Sequence, residues 1–188
     1  MTRCSLYITT AVLLLAGCVV LDRITGPDVV SAKKAGSDGH EVVEVTGNHV
    51  MGVYGGMSTF DGAMLGARWE STSPDIVDML VTYRSANNAE QIVIEFDELR
   101  VNVNGSTTSF TPVGLARITM PLSYLESMLV AEVCKLQLIR GENVAEGDFA
   151  IASNAGKPTA KASLQRFYDK VQATKTELAA SKKEATSP

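Results

Sequence analysis

The sequence predicts an α+β fold: an antiparallel β-meander with one internal helix and a long C-terminal helix. A β-sandwich with peripheral helices is the alternative. Three observations predict this class. Apolar and polar residues alternate with period two through much of 77–103, the pattern of strands with one wet face. Asn104-Gly105 follows that stretch, and both residue types tolerate the positive φ of a two-residue hairpin turn. Two apolar stripes at helical spacing come later, one after Pro121 and one near the C-terminus.

In chain order, Val42, Val43, Val45, Val50 and Val53 are strand formers, and glycines then crowd positions 52–66. Val77, Met79, Val81 and Tyr83 alternate with Asp78, Thr82 and Arg84. Ile92, Ile94 and Phe96 form a second strand, and Leu99, Val101 and Val103 a third. The Asp97-Glu98 step breaks the phase, so a bulge or short turn is expected there. The hairpin then returns over 106–112, and another short strand is expected at 115–120. Together these make a meander of four or five strands over 77–120.

Ser123 with Glu126 reads as a capping box, opening a helix whose stripe is Leu122, Leu125, Met128, Leu129 and Val133. Period two resumes at 134–140, with Cys134, Leu136 and Leu138 inward, and Gly141 ends that strand. A strand is expected at 148–152. The last helix starts near Pro158, since proline suits a first helical position, and buries Leu164, Phe167, Val171 and Leu178. No apolar stripe remains beyond Leu178, so residues 181–188 should fray.

With 188 residues, 45% apolar and 20% charged, the chain has the composition of a globular protein rather than a collagen, a disulfide scaffold or a disordered segment. The net charge of −4 is uneven. Residues 18–156 carry nine Lys+Arg against eighteen Asp+Glu, while 157–188 carry seven against three. An acidic body argues against nucleic acid as the partner. The basic residues Lys161, Arg166, Lys170 and Lys175 lie off the apolar stripe of the last helix. They are the candidate surface for an anionic partner.

The N-terminus reads as a targeting device. Arg3 precedes an apolar run over 6–15, then Leu15-Ala16-Gly17-Cys18. A basic start, an apolar run of about ten residues and small residues at the end describe a secretory signal peptide. The apolar stretch 6–21 is short of the roughly 17–25 residues that span a bilayer. The four residues Leu15-Ala16-Gly17-Cys18 resemble the lipobox of bacterial lipoproteins. That resemblance covers the signal segment alone; the body is matched to no family. It implies cleavage before Cys18, a diacylglyceryl thioether on its sulfur and acylation of its amino group. Several acyl chains anchor a protein stably where one holds it marginally. Val19, rather than Asp, follows the cysteine, which by the same resemblance favours outer-membrane sorting. The expected organisation is a signal peptide over 1–17, a lipidated Cys18 with a flexible tether over 18–40, and one α+β domain over 41–180.

No motif commits the body to a reaction. The glycines of 52–66 lack the Gly-Lys-Ser/Thr of a phosphate loop and read as turns. Gly56-Met57-Ser58-Thr59-Phe60 lacks the second glycine of a nucleophile elbow. His40 and His49 have no metal-ligand spacing, and the cysteines fit no zinc pattern. Glu95, Asp97 and Glu98, and likewise Asp75 and Asp78, read as the wet face of a sheet before an acid pair or a cation site. Trp69, with Tyr54, Met57 and Phe60 upstream, reads as core before a recognition surface. Cys134 should be buried and unpaired. No catalytic residue, cofactor or metal is assigned. The expected function is that of a non-enzymatic, membrane-tethered envelope lipoprotein that contacts protein or cell wall, from the periplasmic side or the cell surface. A surface adhesin, or a tethered periplasmic enzyme with an unrecognised site, is the alternative.

Overall fold

The alternating segments of the sequence become two antiparallel sheets. The computed structural model describes residues 30–37, 39–49, 51–52, 63–84, 91–93, 95–150 and 159–185. The elements are β1 (Val30–Ala35), β2 (His40–His49), β3 (Met51–Gly52), β4 (Ala63–Glu70), β5 (Ile76–Arg84) and β6 (Gln91–Val93). They continue with β7 (Glu98–Val103), β8 (Ser106–Phe110), β9 (Arg117–Pro121), α1 (Leu122–Val130), β10 (Cys134–Arg140), β11 (Asn143–Asp148) and α2 (Ala160–Ala185). The first sheet runs β1-β2-β4-β5, and β5 pairs with both β6 and β9 along its far side. The second runs β3-β11-β10-β7-β8. The fold is α+β, with a short internal helix and a long C-terminal one.

Both sheets feed one core. Val43, Leu65, Trp69, Val77, Met79, Ile118 and Met120 of the first sheet join Leu99, Val101, Cys134, Leu136 and Leu138 of the second in a single apolar cluster. The helices close it. α2 packs on β1, β2 and β4, and α1 packs on β5, β9 and α2. Leu164, Phe167 and Val171 are each 0% exposed, so the stripe expected on the last helix is the one that docks. Trp69 is core as well, and its indole N–H donates to the Pro74 carbonyl at 3.0 Å. The hairpin also forms as expected. Asn104 and Gly105 take φ of 49° and 92°, and Val103 pairs with Ser106.

The continuous meander does not form. The phase break at Asp97-Glu98 is where the chain leaves one sheet for the other: β5 and β6 belong to the first, β7 and β8 to the second, and β9 returns to pair with β5. A bend at Asp97 carries the switch, held by its N–H on the Ile139 carbonyl (2.7 Å) and its carboxylate on the Gly141 N–H (2.6 Å).

The later part of the tether, from Val30 onward, is a hairpin instead, with Val30 opposite Val45 and Ala35 opposite His40. An edge strand needs no apolar alternation, and the exposed Lys33 and Lys34 guard it against further pairing. The capping box is absent. The helix begins two residues earlier, with Pro121 rather than Ser123 at its cap, so Ser123 lies inside it, and the Leu122 N–H is satisfied by the Asp75 carbonyl at 2.8 Å. Val133 falls outside that helix and is 46% exposed. Of the strand expected at 148–152, residues 149 and 150 are a bend and 151–152 lie outside the described residues; the strand turning directly back from β10 is Asn143–Asp148. Helix α2 continues to Ala185 through residues expected to fray; Ala, Lys and Glu are good helix formers, and Lys182 and Lys183 complement the helix dipole in its last turn.

A bulge interrupts the first sheet. Val45 pairs with Ala67 and Asn48 with Leu65, so Thr46 and Gly47 oppose Gly66 alone. A Cβ at Gly66 would stand 2.8 Å from the Val45 carbonyl oxygen. The backbones approach there because no side chain intervenes. Gly66→Ala should therefore cost about 1–3 kcal/mol, read as a lower urea midpoint with unchanged slope. Phe167→Ala should cost about 3–5 kcal/mol in the same measurement, because it opens a cavity between α2 and the first sheet.

Candidate interaction faces

The polar side of each sheet holds a recess. On the first sheet, the outward residues of β1, β2 and β4 form a charge ladder. Lys33 Nζ lies 2.7 Å from Glu44, and Arg68 reaches both Glu44 and Glu70. His40 Nε2 lies 3.6 Å from Glu70. The Glu44 carboxyl is held below its ordinary range, first by the Lys33 hydrogen bond and then by the charges of Lys33 and Arg68, against the opposing push of partial burial. The Arg68 guanidinium is raised, chiefly by its hydrogen bond to Glu70. Beside the ladder, a half-open recess of about 380 Å³ is lined by Thr46, Gly47, Arg68, Asp78, Leu80 and Arg117. Asp78 there accepts from the Thr119 hydroxyl at 2.6 Å and pairs with Arg117 at 3.6 Å.

The larger recess, about 660 Å³, lies on the second sheet at its hairpin end. Arg100, Asn102 and Thr107 line it from β7 and β8, Lys135 and Gln137 from β10, and Glu146 from β11. These are the polar positions of the period-two pattern, brought together by the β7–β10–β11 pairing. The two asparagines build its rim. Asn102 accepts from the Gly105 N–H (3.0 Å) and donates to Thr107 (2.9 Å), while Asn104 accepts from the Val133 N–H (3.0 Å). Arg100 holds both oxygens of Glu98 at 2.9 and 3.1 Å, which lowers that carboxyl and raises the guanidinium. Gln137 donates to Glu146. Lys135 lines the floor with no ion pair among the described residues. The result is a surface of amides, hydroxyls and both charge signs, suited to hydrogen bonding with a polar chain.

The four basic residues of the last helix do not gather on one face. At about 100° per residue, Lys161 and Lys175 fall on one flank of the buried stripe and Arg166 and Lys170 on the other. Lys161 Nζ reaches the Ala131 carbonyl at 3.4 Å, and Lys175 Nζ reaches the Pro74 carbonyl at 3.3 Å and Asp75 at 3.5 Å. Helical periodicity showed that they lie off the stripe, but not that two of them tie the helix to the body.

The acidic candidates are dispersed in the same way. Asp97 holds the sheet-switching bend, Glu98 pairs with Arg100, Asp75 with Lys175 and Asp78 with Arg117. Among the described residues no group of three or more His, Cys, Asp or Glu is placed to hold a metal. Cys134 is buried and free, its thiol pushed up to about 12, first by burial and then by the nearby Asp148. Cys18, Tyr54, Met57, Phe60, Gly55, Gly56 and Gly62, and the side chain of His49, lie outside the described residues.

The lowered Glu44 carboxyl gives a pH test. Its contribution to stability is complete above the ordinary carboxylate value and is lost as pH falls through the lowered folded value. Glu44→Gln should remove that dependence. Between about pH 6 and pH 3 the parent should lose about 0.5–1 kcal/mol more stability than the variant, since the ladder is partly exposed.

Comparison with known proteins finds no family model that matches the chain, and no curated protein or solved structure that matches it either.

Proposed function

We propose that this chain is a non-enzymatic lipoprotein of the bacterial outer membrane, anchored through Cys18, whose domain contacts a protein or cell-wall partner. The observation that carries the reading is Leu15-Ala16-Gly17-Cys18 at the end of an apolar run with Arg3 before it. No helix among the described residues is long and apolar enough to cross a membrane. The proposed means of attachment is by acyl chains on Cys18.

The partner surface is the polar recess on the second sheet. Its side chains offer many hydrogen bonds and no stacked aromatic, which suits a peptide or a polar polymer over a flat apolar ligand. Lys135 supplies a charge not committed to an ion pair among the described residues. Of the basic residues of the last helix, Arg166 and Lys170, which share one flank, are a secondary contact for an anionic partner. Each exposed charge adds little alone, and salt weakens it.

Cys18→Ser should abolish incorporation of labelled fatty acid and release the chain from washed membranes. Membrane retention of a processed Cys18→Ser protein would sink the anchor reading. Lys135→Gln with Gln137→Ala should leave the unfolding midpoint nearly unchanged, since it sets no like charge opposite Asp148. It should lower cross-linking to envelope components about tenfold, equivalent to about 1.4 kcal/mol. Unchanged cross-linking would remove the recess as the partner surface.

A further inference from the structure

We propose that the loop joining β8 to β9, residues 111–116, rests in the interface of the bilayer that holds Cys18, with Val113 and Leu115 as its apolar contacts. This rests on the anchor reading above. Val113 and Leu115 are 51% and 64% exposed. Single exposed apolar residues are ordinary on a surface. What distinguishes these two is how they are held and where they stand.

The loop is fixed at its base. The Val113 N–H donates to the Arg117 carbonyl at 2.7 Å, and the Ala116 carbonyl accepts from the Val81 N–H at 2.9 Å. Ala116, only 1% exposed, takes φ of 58°, in the left-handed region, and Gly114 takes 73°. Ala116 fills the buried position beside β5, so Leu115 has no inward site and projects outward.

Strand register places the loop at the end of the first sheet where β1 begins. Val30, Val45, Ala67, Met79 and Ile118 lie in one row across the first sheet. β1 runs from Val30 toward Ala35, so the chain enters the sheet from the side of that row where β2 carries its bulge. Leu80 pairs with Arg117 one row further to that side, and Val81 meets Ala116 beyond it. The loop therefore stands at the end from which the chain enters. Val30 is twelve residues after Cys18, a reach of at most about 43 Å. The four strand spacings from β1 to β9 span only about 19 Å. The tether thus allows this end to meet the lipid.

The hairpin turn and the second-sheet recess stand elsewhere. The Asn104–Gly105 turn and the recess stand at the other end of β8, about 16 Å from the loop. Lys175 sits on the Pro74–Asp75 turn, which is also away from the loop, and α2 continues about 15 Å beyond it with residues 179–183 exposed. Docking by the loop would therefore leave the recess and the charged helix end facing away from the membrane, accessible to a partner.

The test uses the full mature chain in phosphatidylethanolamine–phosphatidylglycerol vesicles containing nitroxide-labelled lipid. A polarity-sensitive maleimide dye is placed at Leu115→Cys and, for comparison, at Val133→Cys, an exposed apolar position tied to the hairpin turn. Buried Cys134 should leave the parent chain unlabelled under native conditions. The expected result is blue-shifted emission and about twofold or greater quenching at position 115, with neither at position 133. Val113→Cys should behave as Leu115→Cys does. A chain retained on the vesicles with equal, weak quenching at 115 and 133 overturns the loop contact and leaves the anchor standing. A chain that washes off the vesicles overturns the anchor reading and this inference with it.

Discussion

Burial of Leu164, Phe167 and Val171 against the apolar face of the first sheet is the contact on which the other features depend. Each large side chain buried there contributes about 1.5–3 kcal/mol. The same docking brings Lys175 onto the Pro74 carbonyl, which also accepts the Trp69 indole N–H, so the β4–β5 turn and the helix share an acceptor. With that face closed, β2 and β4 have only their polar side left for solvent. The charge ladder of Lys33, Glu44, Arg68 and Glu70 follows from this division.

The switch between sheets at Asp97 has a comparable effect on the second half of the chain. β7 and β8 leave the first sheet, and β9 comes back to β5 through the loop carrying Val113 and Leu115. That loop exists because the chain must cross from the end of one sheet to the edge of the other. Its fixed geometry comes from Ala116, whose backbone continues the β5 pairing while its side chain fills a core position. The polar recess arises from the same rearrangement, since β7 is then free to pair with β10.

Cys134 shows how the core governs chemistry. Its side chain occupies an inward position of β10 in line with Leu136 and Leu138. Desolvation there disfavours the thiolate, so its nucleophilicity is suppressed. Burial, not the spacing of cysteines, decides that this residue is structural.

The sequence by itself determined the local features. Period-two alternation identified the inward residues of β5, β7 and β10, Asn104-Gly105 placed the hairpin, and the stripe of Leu164, Phe167 and Val171 identified the docking face of α2. These are set by backbone geometry and side-chain spacing within a few residues. The capping box was misread because Ser123 and Glu126 matched a local pattern while the true start was decided by the distant Asp75 carbonyl. The hairpin over 30–40 was missed because an edge strand at a sheet rim carries little apolar signal. Only the tertiary structure decided that the strands divide between two sheets, that Gly66 opposes a bulge, and that Arg100, Asn102, Lys135, Gln137 and Glu146 share one recess. Those outcomes depend on which strand pairs with which. Pairing is fixed by contacts between residues far apart in the chain, which no local periodicity encodes.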